Sequence, residues 1–308
     1  MYHTQVMRSA ILCTMICCLG DPILPGFALA TAAEDVHGMQ SIWPKLITDA
    51  KALKLPTKFI EEVPAGFVRF EFDDLRTFAA EYHPEDHRMV FNRALSFNAA
   101  GGALRSLRDL TNKDLQTLYH ELFHAFMDYL TTRSPQAHSP EPKDALVAFA
   151  REQQRCRYEH VWITPIPQKK GHIEERFLDQ VESWEALNET WAVFVGWAVW
   201  TQLEMTRSRQ RSAVIPSNRT DQWTERLRLA DVEAELRGYY EPRDPAEKVV
   251  TQKRYLAPVS RISPAEVAVI MKHVLGSSPD RIYRSAQVME GSRPTPAPSS
   301  SCAMPANP

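Results

Sequence analysis

Glycine is scarce in this sequence, with 11 residues against 22 prolines in a chain of 308. A fold built on Gly-rich phosphate loops is therefore not expected, and a helix-rich one is. Excess charge of one sign is also missing: Lys+Arg number 36 and Asp+Glu 38, for a net charge of −2. Nucleic-acid binders carry a basic patch or stripe, so no nucleic-acid partner is expected. Five cysteines are too few for a disulfide scaffold. What remains is ordinary: 24% charged and 44% hydrophobic residues, enough to bury the core of one large domain or two modest ones.

The first thirty residues read as an address. Arg8 precedes an apolar run from Ala10 to Gly20, and Ala28-Leu29-Ala30 supplies small residues in an A-x-A exit. This pattern predicts a secretory signal peptide over residues 1–30, with cleavage after Gly20, Ala32 or Ala33 as alternatives. The run falls short of the about 20 apolar residues needed to span a bilayer, so the mature chain has no stable membrane span. The expected location is secreted or periplasmic. Cys13, Cys17 and Cys18 leave with the peptide, and Cys156 with Cys302 can form at most one bridge. A single domain is expected over residues 31–290, followed by a disordered tail over 291–308 rich in Pro294, Pro296, Pro298 and Ser299-Ser300-Ser301.

Within the domain, strands precede helices. Residues 40–53 have helical apolar spacing. Val68, Phe70 and Phe72 alternate onto one face of a strand, and Arg88-Met89-Val90-Phe91-Asn92 forms a second. A capping box of Thr111 and Asp114 opens a helix, and further helices are expected over 143–157, 180–205 and 221–236 and from Ser263 to Gly276. Trp191 to Trp200 is apolar or Gly throughout, so that helix belongs at the centre. Packing in this helix accounts for Trp184, Trp191, Trp197 and Trp200 better than a carbohydrate platform does. Strands first and helices afterwards predict an α+β class.

The chemistry concentrates in His120-Glu121-Leu122-Phe123-His124. Residues four apart on a helix return to nearly one face, so both imidazoles can reach one cation. Glu121 lies beside that face, where it can serve as general base without ligating. Leu115, Leu118, Leu122, Phe126, Tyr129 and Leu130 supply the helix's buried side. A catalytic site needs a third ligand and an open position. Glu185 and Glu189 on the central helix are the candidates; Glu189 adjoins the apolar run, where an unpaired carboxylate is costly. Glu182 reads as solvated.

His120-Glu121-x-x-His124 followed by Asn188-Glu189-x-x-Ala192 resembles the gluzincin group of zincin metallopeptidases. The likeness covers two helices of about twenty residues each. It implies a zincin-like fold, a small N-terminal sheet followed by a predominantly helical region with the HExxH helix central. It also implies Zn2+ held by His120, His124 and Glu189, Glu121 as catalytic base, and a peptide or protein substrate. Arg88 to Asn92 would then be the edge strand lining the substrate cleft. The sequence departs from several such families in the long link between the two motifs and in Val193, which stands where they place an Asp.

Asp128, one turn beyond His124, is a candidate to orient a ligand imidazole. Tyr239, Tyr240, His172 and His160 are the candidates for an oxyanion donor. Of two glycosylation sequons, Asn188-Glu189-Thr190 falls inside the core helix and Asn218-Arg219-Thr220 remains usable. The expected function is an exported zinc-dependent metallopeptidase. Alternatives are a hydrolase of non-peptide amides, and a non-catalytic envelope scaffold with a structural or vestigial metal.

Overall fold

The computed structural model describes residues 42–76, 79–97, 102–133, 142–164, 172–211 and 219–291. The expected signal peptide, the tail beyond Gly291, Asn218 and Cys302 lie outside these residues. Cys156 is half-buried and free, and its candidate partner is Cys302.

Alternating apolar residues build the first sheet, from β1 (Arg69–Asp73), β2 (Ala80–His83) and β3 (Arg88–Asn92) in the order β1-β3-β2. β1 runs parallel to β3, pairing Phe70 with Met89 and Phe72 with Phe91. β2 runs antiparallel to β3, pairing Tyr82 with Met89. Phe70 and Phe91 stack at 5.4 Å, and Trp43 from α1 (Ile42–Ala52) covers Phe70 at 5.9 Å.

One expectation is corrected here. Arg88–Asn92 is the middle strand, hydrogen-bonded on both sides, and β2 is the edge that faces the HExxH helix. Met89, Val90 and Phe91 are all buried, the run of consecutive apolar residues that a strand covered on both faces requires.

The short helix α2 (Lys58–Glu62) leads towards α3 (Asn112–Arg133), which carries the motif. The expected capping box starts α3: Asp114 N donates to Thr111 Oγ1 at 3.1 Å, and Thr111 N donates to Asp114 Oδ2 at 3.0 Å. α4 (Pro142–Gln153) continues as a single π turn over Gln154–Tyr158. α5 (Gln180–Arg211) is the long central helix, running past its expected end. Then follow α6 (Arg219–Val232), α7 (Pro245–Val250), α8 (Pro264–His273) and α9 (Pro279–Gly291). Strands also recur late, with β4 (His160–Ile163) pairing β5 (Glu174–Phe177) and β6 (Tyr239–Tyr240) pairing β7 (Arg254–Tyr255). The class is mixed α+β and mostly helical, with strands in both halves rather than only at the start.

α3 and α5 share the most extensive contact of any two elements. Leu115, Leu118, Leu122 and Phe126 from α3 and Trp191, Phe194, Val195 and Val199 from α5 are all buried in this core. Burial of each such side chain contributes about 1.5–3 kcal/mol. Trp191 and Trp197 are buried as expected, whereas Trp184 lies half-buried under Arg151, 3.9 Å from its ring centre. Gly196 sets the helix separation: a Cβ there would stand 2.8 Å from the Gln116 carbonyl oxygen. Among the described residues no helix is long and apolar enough to cross a membrane.

Candidate metal centre

Helical spacing brings His120 and His124 onto one face of α3, with ring centroids 4.7 Å apart and planes at 79°. Their Nε2 atoms approach to 3.0 Å. Glu189 reaches across from α5, with Oε2 3.2 Å from His120 Nε2 and Oε1 3.3 Å from His124 Nε2. Among the described residues this trio is the one group of His, Cys, Asp and Glu side chains arranged to hold a metal ion.

The donor set suits a small divalent ion: one ligand atom from each residue lies within 4.8 Å of the others. Tetrahedral ligands at about 2.0–2.1 Å from zinc stand roughly 3.3 Å apart, close to the approach of each imidazole to its own Glu189 oxygen. Glu189 Oε2 is buried without a hydrogen-bond partner, because its approach to His120 lies outside hydrogen-bond geometry. A buried anionic oxygen without a hydrogen-bond partner, beside an imidazole nitrogen, is what a cation would satisfy.

Without a cation, protons do the work of charge balance. Burial disfavours the charged His124 ring, but the Glu189 carboxylate outweighs it and raises His124 to about 9. Burial likewise pushes Glu189 up, yet His124 and His120 together hold it well below the usual carboxylate range. Glu121 goes the other way. Burial raises it, the imidazoles only partly compensate, and Glu189 adds repulsion.

Glu121 stands outside the trio, with Oε1 3.9 Å from His120 Nε2. Its Oε2 accepts the Tyr82 backbone N–H at 2.9 Å, so the edge strand β2 fixes the carboxylate. The Tyr82 hydroxyl donates to Asp128 Oδ2 at 2.5 Å, and His87 Nδ1 meets the same oxygen at 2.7 Å. Asp128 also accepts from Thr132. Its hydrogen bonds among the described residues thus anchor β2 to α3 rather than orient a ligand imidazole.

Glu185 points elsewhere: its Oε1 accepts from Glu241 N at 3.0 Å. It does not belong to the trio, and burial raises its carboxyl to about 7. Glu182, expected to be solvated, is half-exposed, and its Oε1 accepts from Arg243 N at 2.9 Å. Both carboxylates therefore tether the chain that follows β6.

Of the four oxyanion candidates, Tyr239 is the one set beside the trio, where burial and then the neighbouring Glu189 carboxylate raise its phenol strongly. Tyr240 turns to the other side, near Arg176 and Glu247. His160 pairs with Glu175 at 2.5 Å and stacks on Phe177, and His172 is exposed. The sequon at Asn188 has its Thr190 fully buried, in keeping with its dismissal.

Tyr82 and Lys253 escaped sequence reasoning. Lys253 reaches Tyr239 at 2.8 Å from a distant turn, a contact with no local signature. Tyr82 lies in Ala80-Glu81-Tyr82-His83, whose alternation of Ala80 and Tyr82 with Glu81 and His83 spans only four residues; with the aromatic, β-prone Tyr82 it is a weak signal beside the firm strand that follows. Comparison of the chain with family models, with curated proteins and with solved structures finds no match.

Proposed function

We propose that this chain is an exported zinc-dependent peptidase of zincin-like build, related in its site logic to the gluzincins. The observation that carries the reading is the cluster of His120, His124 and Glu189, with the two Nε2 atoms 3.0 Å apart and Glu189 Oε2 and Oε1 at 3.2 Å and 3.3 Å from His120 and His124 respectively. A second carboxylate, Glu121, stands next to that trio. Export rests on the pattern of residues 1–30 alone.

His120, His124 and Glu189 would hold the ion. Bound zinc would polarise a scissile carbonyl and acidify water towards a pKa of about 7. The chain's own residues supply the rest. Glu121, raised by burial and tied at Oε2 by the Tyr82 N–H, offers Oε1 to take a proton from the attacking water and pass it to the leaving amine. Tyr239, beside Glu189, would steady the ligand carboxylate through its hydroxyl. β2 leads its backbone past Glu121, which gives an extended substrate a wall to lie against.

The test measures bound metal and cleavage of a mixed peptide pool for wild type and Glu121→Gln. One equivalent of zinc in both proteins, with cleavage only in wild type, supports the reading. Zinc-loaded wild type that cleaves nothing, freed of its tail, sinks the peptidase assignment and favours a scaffold with a structural ion.

A further inference from the structure

The strand β6 lies alongside α5 at the level of the trio. Gly238 makes this possible: a Cβ there would stand 2.0 Å from Thr190 Oγ1 and 2.8 Å from the Thr190 Cα. Three residues on, Glu241 N is bound by Glu185. Between these two anchor points Tyr239 faces the Glu189 carboxylate.

Lys253 also reaches this phenol. Its Nζ donates to Tyr239 Oη at 2.8 Å and lies 4.0 Å from the ring centroid. The placement is built into the backbone. β6 and β7 pair Tyr239 with Tyr255, and Thr251 Oγ1 donates to the Lys253 carbonyl at 3.0 Å. An ammonium donating to a phenol oxygen fixes the direction of the remaining O–H and strengthens it as a donor.

We infer that Lys253 is a positioning residue of the metal centre, its ammonium holding the Tyr239 hydroxyl as a donor towards the Glu189 carboxylate. Groups that orient ligands in this way are worth about 10–100-fold in metal affinity or activity. Lys253 acts only through Tyr239 and touches no reacting atom. The inference rests on the zinc reading of the trio.

The experiment uses full-length wild type, Lys253→Met, Lys253→Arg, Tyr239→Phe and the Lys253→Met/Tyr239→Phe double variant. Zinc affinity is read by chelator competition, and peptide turnover separately. Expected is a loss of about 10-fold or more in Lys253→Met, in the same quantity that Tyr239→Phe lowers. The double variant falls no further than Tyr239→Phe alone, and Lys253→Arg recovers most of the loss. A purely structural lysine would not show that dependence on the phenol. Losses that multiply in the double variant, or variants that match wild type in both quantities, overturn the inference. Wild type speaks separately for the underlying reading: zinc bound without cleavage removes the peptidase but leaves the affinity test of Lys253 intact. Wild type that takes up no zinc overturns both.

Discussion

Glu121 and Glu189 are both buried carboxylates, and their surroundings push them in opposite directions. Glu189 has two imidazoles against it and stays ionised; Glu121 has burial and a like charge against it and holds protons more readily. In the proposed enzyme that difference suits Glu189 to ligation and Glu121 to proton transfer. Removing the base while keeping its shape, as in Glu121→Gln, is expected to lower turnover about 10²–10⁴-fold with zinc content unchanged. Equal turnover in the variant would end the assignment.

His124 yields a pH prediction. Its value, raised to about 9, means that the ring adds stability to the metal-free protein below about pH 6.5 and loses that contribution as pH climbs through about 9. The melting temperature of the metal-free protein should therefore fall across that window. Zinc must displace the same proton, so uptake near neutral pH should release one or more protons. Calorimetry in buffers of different ionisation enthalpy measures the release; uptake with none contradicts an imidazolium at this position. Glu185 follows the same sign, being raised to about 7 by burial, so its contribution to the metal-free protein is lost between about pH 4.5 and 7. Above about pH 8, Glu185→Gln is expected to be more stable than wild type by up to about 2–3 kcal/mol. Chemical denaturation at two pH values would show it.

At the scale of elements, the two motif helices were legible because their signals are local. Thr111 with Asp114, the apolar face of α3 and the unbroken Trp191 to Trp200 run each operate within a few turns. β2 was not legible, since its place depends on pairing with β3 and on Glu121 rather than on its own residues. The central place of β3 could have been read from Met89-Val90-Phe91, which has no polar alternate. The helix separation depends on Gly196, so Gly196→Ala drives a methyl against the Gln116 carbonyl at 2.8 Å. A cost of about 1–3 kcal/mol is expected, along with weaker zinc binding as Glu189 retreats from the imidazoles. Gly66→Ala, where a Cβ meets nothing within 4 Å, is the control. Denaturant midpoints and chelator titrations of the two variants make the comparison.

At the scale of the whole molecule, Glu266 ties distant elements together from the first turn of α8. It is fully buried and accepts from Tyr158 Oη at 2.8 Å, Trp191 Nε1 at 2.9 Å and Ser263 N at 2.6 Å. Arg157 Nε stands 3.3 Å away as its counter-charge. Trp191 is only two residues past Glu189, so this polar knot fixes the helix that presents the carboxylate. Glu266→Ala would leave a buried phenol and indole N–H without their acceptor and the half-buried Arg157 without its counter-charge, at a cost of about 3–5 kcal/mol. The melting temperature should drop by roughly 10 °C; a shift of under about 2 °C would show that the knot is dispensable. Sequence patterning pointed to a helix from Ser263 and could not reveal Tyr158, Trp191 and Arg157 as partners of Glu266, since they converge from elsewhere in the chain.

The grip of Tyr82 on one oxygen of Glu121 has a last consequence. With Oε2 held by the amide, swapping the two oxygens costs that hydrogen bond, about 1.5–3 kcal/mol for a charged acceptor. In the proposed reaction a hydrogen taken up at Oε1 would then also depart from Oε1, so collector and dispenser would be a single atom facing a single direction. Entry of the nucleophile and exit of the product amine would thereby share one side of the cleft.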